Sequence, residues 1–146
     1  MKLYHFCSRH HIEQIKKQGL TLGRIPIPDI TLQQVNGFVK PCQWLTENPD
    51  FIQSWEQYSS LPYRRNDYRI TIKIPKGHRD KLHRWEGICE STARLKRAAM
   101  ILNMFGDPEN WWCYMARVKP NWFREIKSHP KRNLNEKIKE GTPEDS

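Results

Sequence analysis

Residues 2–23, KLYHFCSRHHIEQIKKQGLTLG, decide how the chain is read. Lys2 to Cys7 alternates as a strand, with Leu3, His5 and Cys7 on one face and Tyr4 and Phe6 on the other, so both faces are largely apolar and the strand belongs in an interior. Ser8 is suited to cap a helix, Ile12 and Ile15 give that helix an apolar face, and Gly19 suits the left-handed position just past its end. A histidine in the middle of an interior strand is either a satisfied structural residue or one presented to a ligand.

Working outward, residues 20–41, LTLGRIPIPDITLQQVNGFVKP, contain three prolines and two glycines. Proline removes a donor and restricts its neighbour, so this stretch reads as a long connection rather than a regular element. Order returns at Cys42 to Thr46, a strand with Trp44 and Thr46 on one face. Asn48 and Pro49 then open a helix whose core face is Phe51, Ile52, Trp55 and Tyr58.

The clearest strand is DYRITIKIP, residues 67–75, where Tyr68, Ile70, Ile72 and Ile74 alternate with Arg69, Thr71 and Lys73. Pro75 and Gly77 mark a turn, and two helices are predicted, His78 to Trp85 and Ser91 to Met104, the second buried through Leu95, Ala98, Ala99 and Leu102. After the GDP turn at 106–108, Trp111 to Val118 and Trp122 to Lys127 read as two strands joined by a Lys-Pro-Asn turn. From Ser128 the composition is polar and without apolar periodicity, which predicts a frayed or disordered tail. One domain over residues 1–127 and a charged tail over 128–146 account for all 146 residues.

The formal charge is +9. The tail's four bases and four acids cancel, whereas residues 64–97 hold eleven lysines and arginines against four acids. Such a section attracts phosphates, of a nucleic acid or of a nucleotide cofactor, and equally suits a solvated basic face. No apolar run is long enough for a bilayer and no charged start precedes an apolar segment, so a cytoplasmic protein without membrane contact is expected. Cys7, Cys42, Cys89 and Cys113 lack the close spacing of a zinc or redox pair, and reduced, buried thiols are expected. His10 and His11 point about 100° apart on a helix, so no metal site is expected. Walker, GxGxxG, GxSxG and HExxH patterns do not occur.

Residues 3–23 resemble the opening of the ADP-ribosyltransferase-like superfamily, in which a first strand carries a histidine, often within YHxTS, before a helix ending IxxxGL. QWLTENPD, residues 43–50, resembles that superfamily's second block, an aromatic and then a small hydroxyl residue ahead of a helix. Residues 106–126, GDPENWWCYMARVKPNWFREI, are similar to the closing hairpin of its small bacterial and phage members.

The resemblance implies an α+β fold of two splayed antiparallel sheets with flanking helices around an NAD cleft. It implies that His5 binds a ribose hydroxyl of NAD, and that Trp44, in place of the usual tyrosine, or Thr46 lines the cleft. His5 and Thr46 would then be the catalytic pair. Arg24, Arg69 and Lys73 are candidates for the pyrophosphate, Arg69 preferred because strand alternation puts it on the uncovered side. The reaction would pass through an oxocarbenium-like state steadied by a glutamate. The late strand WWCYMARV carries no acid. Glu125 on the following strand is nearest, with Glu90 and Glu47 as alternatives.

Members lacking the glutamate include RNA 2'-phosphotransferases, which rely on histidine and arginine at a phosphate, and domains that keep the fold for binding. Two functions therefore remain open: an NAD-dependent transferase modifying a protein or nucleic acid, as a toxin or effector would, and a non-catalytic domain binding nucleic acid or a protein through the basic section. A binding module of unrelated α/β fold is a third.

Overall fold

The computed structural model describes residues 1–29, 34–50 and 67–128. The first strand, β1 (Leu3–Cys7), has apolar residues on both faces and a neighbour on both edges. On one side it pairs antiparallel with β5 (Tyr68–Ile72) in continuous register from Leu3↔Ile72 to Cys7↔Tyr68. On the other it meets β4 (Gln43–Thr46) at Tyr4↔Thr46. Because β1 bridges both neighbours, the main sheet is one open six-stranded antiparallel sheet, completed by β6 (Leu82–Arg84), β7 (Trp111–Tyr114) and β8 (Phe123–Ser128) in the order β6-β7-β4-β1-β5-β8. The two splayed sheets expected from the sequence are not what forms.

Each face of this sheet carries its own core. Leu3, Cys7, Leu45, Ile70, Ile72 and Tyr114 lie on one face, closed by Ile12 of the helix α1 (Ile12–Gln18) and by Leu20, Val118 and Trp122. On the other, Trp111 and Cys113 are covered by Ile25 and by Trp85, Leu95, Ala98 and Leu102 of two further helices. Full burial of each large side chain contributes roughly 1.5–3 kcal/mol.

Several elements differ from the sequence reading for identifiable reasons. Ser8 does not cap α1. Its Oγ accepts from His10 N at 3.0 Å and its carbonyl from His11 N at 3.1 Å, forming a turn that delays the helix to Ile12. Gly19 does end it, at φ +81°, and a Cβ there would run into the Val118 carbonyl. That close approach allows Leu20 and Val118 to exchange backbone hydrogen bonds.

The proline-rich connection contains a ribbon of its own, β2 (Ile25–Asp29) paired with β3 (Gln34–Val39). Pro26 and Pro28 are tolerated because, among the described residues, β2 is paired on one edge alone. The intervening Ile25 and Ile27 are buried.

The helix expected from His78 to Trp85 is instead a 3-10 stretch, Lys76–Lys81, followed by the edge strand β6 (Leu82–Arg84) and the short helix α2 (Trp85–Ile88). Gly77 and the lack of apolar residues before Leu82 leave nothing to fix a helical face. The next helix, α3 (Ala93–Leu102), buries Leu95, Ala98, Ala99 and Leu102 as the spacing predicts, and Thr92 caps it by accepting from Leu95 N at 3.1 Å.

The last two strands, β7 (Trp111–Tyr114) and β8 (Phe123–Ser128), exist but do not make a hairpin. β7 lies between β6 and β4, and β8 pairs with β5 at the far edge. Val118 and Trp122 are drawn into the core between them, so the chain crosses the sheet where a tight turn was expected. The helix expected after Pro49, with Phe51, Ile52, Trp55 and Tyr58, and the tail from 129 to 146 lie outside the described residues.

All four cysteines are free and buried, as expected. Burial, with Asp67 adding to it, pushes the Cys7 thiol up to about 12. Burial and a hydrogen bond with Cys42 move Cys113 in the same direction. Neither is primed as a nucleophile.

Candidate functional site

Strand β4 gathers the residues that the sequence singled out. His5 Nδ1 lies 2.8 Å from the Trp44 carbonyl oxygen. A carbonyl can only accept, so Nδ1 carries the proton and donates; in the neutral ring Nε2 is left as an acceptor. Trp44 Nε1 in turn donates to the Arg24 carbonyl at 2.8 Å. His5, Trp44 and Arg24 thus form one hydrogen-bonded chain from the central strand to the segment leading into β2.

The register separates the two rings. Directly opposed residues share a face, so Thr46 and Trp44 lie with Tyr4, while His5 starts from the opposite face with Ile70. His5 therefore meets the Trp44 backbone and not its indole. The indole packs against Trp85, with centroids 5.0 Å apart, and edge-on to Trp111 at 5.7 Å. Arg24 is held near it by Gly23, whose N–H donates to Gln43 Oε1 at 2.9 Å and whose carbonyl accepts from Cys42 N at 3.0 Å. The Arg24 side chain is exposed.

Burial lowers the His5 pKa below the ordinary 6.5, with the Trp44 bond partly opposing that shift. The unfolded chain binds a proton in a pH range where the folded chain does not. The stability this group contributes is complete above pH 6.5 and lost as the pH falls through the lower folded-state value. Melting temperatures taken at descending pH below 6.5 are expected to fall more steeply for the native chain than for His5→Asn; parallel curves would contradict this assignment.

Thr46 is buried, and its Oγ1 accepts from Asn48 N at 3.1 Å, shaping the turn that leaves β4. Arg69, on β5, reaches the same turn: Nη1 donates to the Pro49 carbonyl at 2.9 Å. Its guanidinium lies 5.4 Å from the Tyr4 ring centroid and its Nη2 3.9 Å from Glu125 Oε1. The Arg69 side chain is 15% exposed, and its buried Nε has no hydrogen-bond partner among the described residues. Register puts Arg69, Glu125, Thr46 and Trp44 on one face and His5 on the other.

The three acids weighed from the sequence have separate surroundings. Glu47 accepts from Trp112 Nε1 at 2.7 Å and pairs with Arg84 at 3.3 Å. Glu90 lies 4.0 Å from Lys96. Glu125, 55% exposed beside Arg69, is the one of the three placed on the Trp44 face.

A fourth acid escaped the sequence reading. Asp107 is buried and accepts from Asn48 Nδ2 at 3.2 Å, Asn110 Nδ2 at 2.8 Å and Trp111 Nε1 at 3.2 Å, tying the turn after β4 to the start of β7. Its signal was present in GDP, where the aspartate immediately precedes a proline-led 3-10 turn. Asp107→Ala is expected to cost about 3 kcal/mol, since one buried and two part-buried donors lose their acceptor at once. A urea midpoint unchanged by the substitution would contradict that role.

The described cations of the basic section are spread over several elements. Arg94, Lys96 and Arg97 are exposed on α3, Lys76 and Lys81 on the 3-10 stretch, and Arg84 lies over the Trp112 ring at 4.7 Å. Among the described residues no group of three or more His, Cys, Asp or Glu could hold a metal ion, and no helix is long and apolar enough to cross a membrane. No protein-family model, curated protein or solved structure matches the chain.

Proposed function

We propose that the chain binds NAD along β4 and transfers ADP-ribose to a protein or nucleic-acid acceptor, as an ADP-ribosyltransferase-like domain. One observation supports this reading: His5 and Trp44, to which the resemblance gives NAD contacts, and Arg24, a candidate for the pyrophosphate, are joined by two 2.8 Å hydrogen bonds. The donor set suits the ligand. A neutral imidazole with Nδ1 occupied offers Nε2 to a sugar hydroxyl, and an exposed arginine offers charge to a pyrophosphate.

Bound NAD would supply a labile nicotinamide–ribose bond. The chain's part is to orient the ribose through His5 and to hold the phosphates through Arg24. Arg69, tied to Pro49, and Glu125 beside it stand on the face opposite His5, so neither is assigned to the ribose that His5 would hold. Thr46 shapes the turn after β4, and its part in the reaction follows from that position.

Titration calorimetry with NAD tests the binding step. His5→Ala is expected to weaken binding about tenfold, the value of one hydrogen bond. Label from NAD is expected to enter protein or nucleic acid with the native chain and to enter less with His5→Ala. Absence of NAD binding by the native chain would overturn the reading.

The exposed cations of α3 favour a second reading, a non-catalytic domain that binds a partner through its basic surface. That reading requires binding that falls with salt and is indifferent to His5.

A further inference from the structure

Helix α3 buries Leu95, Ala98, Ala99 and Leu102 on one side. At about 100° per residue the opposite crest runs through Arg97 and Met100 and on to Met104 in the following turn, with Arg94 and Lys96 on its flanks. Met100 is 69% and Met104 75% exposed, and they are two of the four large apolar side chains exposed among the described residues. Flexible, polarizable thioethers on an outer helix face are suited to apolar partners of varied shape. Two on one crest, rimmed by three cations, form a patch of defined chemistry.

We propose that this crest docks an acidic amphipathic segment of another protein, its leucine or phenylalanine side chains on Met100 and Met104 and its carboxylates on Arg94 and Arg97. Charge complementarity selects this occupant. A second copy of the same face would bring like charges together. A nucleic acid would engage the cations and leave the thioethers unused. Glu90, 4.0 Å from Lys96, neutralises the flank on its side, while Arg94, whose Nη2 lies beside Gly37 of β3, and Arg97 are exposed. The inference rests on the basic-surface reading alone; NAD binding along β4 can fail without affecting it.

Fluorescence anisotropy of the full chain tests it with three probes: a short acidic peptide with leucines at helical spacing, the same peptide with its leucines replaced by serine, and a single-stranded oligonucleotide. The leucine peptide is expected to bind, and the serine peptide about tenfold more weakly. Arg97→Glu with Met100→Asp should abolish binding without lowering the melting temperature, since both side chains are exposed. Met104→Gln, which keeps every charge, should weaken the leucine peptide several-fold. Equal binding of both peptides, indifference to Met104→Gln, or binding of the oligonucleotide in preference to the leucine peptide would each overturn the proposal.

Discussion

Replacing Trp85 with alanine is expected to destabilise the chain by about 4 kcal/mol, a loss of roughly 10–15 °C in melting temperature for a domain of this size. Trp85 is fully buried, its Nε1 donates to Asn103 Oδ1 at 2.7 Å, and its ring supports the Trp44 indole at 5.0 Å. Removing it opens a cavity between the sheet and α3 and leaves the Asn103 acceptor without that donor. Trp85→Phe retains most of the packing and loses the hydrogen bond, so about half the cost should return. Urea unfolding of the two variants separates the contributions. A Trp85→Ala midpoint within error of the native value would mean that α2 and α3 do not pack on the sheet as described.

Gly23→Ala is the second large effect. A Cβ at this position would overlap the Cys42 carbonyl and the Gln43 side-chain oxygen, both of which lie against the backbone. The segment must move away from β4, losing the bonds from Gly23 N to Gln43 and from Cys42 N to Gly23 and displacing the Arg24 carbonyl from Trp44. A loss of about 2–3 kcal/mol is expected. If Arg24 holds phosphate, NAD affinity should fall together with stability. The control is Gly77→Ala, where a Cβ meets nothing within 4 Å, and neither quantity should change. Unaltered melting of Gly23→Ala would contradict the close approach.

Much of the architecture is visible in local patterns because local patterns are what fix it. The alternation of Ile70 and Ile72 and the helical spacing of Leu95, Ala98, Ala99 and Leu102 express one buried face each, and both faces are buried as read. Pro26 and Pro28 concealed β2, since proline argues against a strand unless the strand has a free edge, and edges belong to the assembled sheet. Leu82–Arg84 is too short to alternate convincingly, and its pairing with β7 is a tertiary fact. The crossing from β7 to β8 depends on Val118 and Trp122 entering the core, which no turn signal encodes.

The site follows the same division. His5 was legible as a polar ring in an interior strand, and Trp44 and Arg24 from the second block and the loop before it. That His5 would meet the Trp44 carbonyl while their rings start from opposite faces depends on the Tyr4↔Thr46 register, which a single sequence does not display. Asp107 was read as part of a turn because its three donors come from Asn48, Asn110 and Trp111, one of them far away in the chain.

The proposed grip of His5 Nε2 on a sugar hydroxyl of NAD is open to one direct measurement, the imidazole nitrogen NMR spectrum of the chain recorded with and without NAD. The expected spectrum is that of a neutral ring at pH 7 with the proton on Nδ1, and the Nε2 resonance should shift when NAD is added while Nδ1 stays bonded to Trp44. A ring protonated at Nε2, or an Nε2 signal that saturating NAD leaves unmoved, would contradict it.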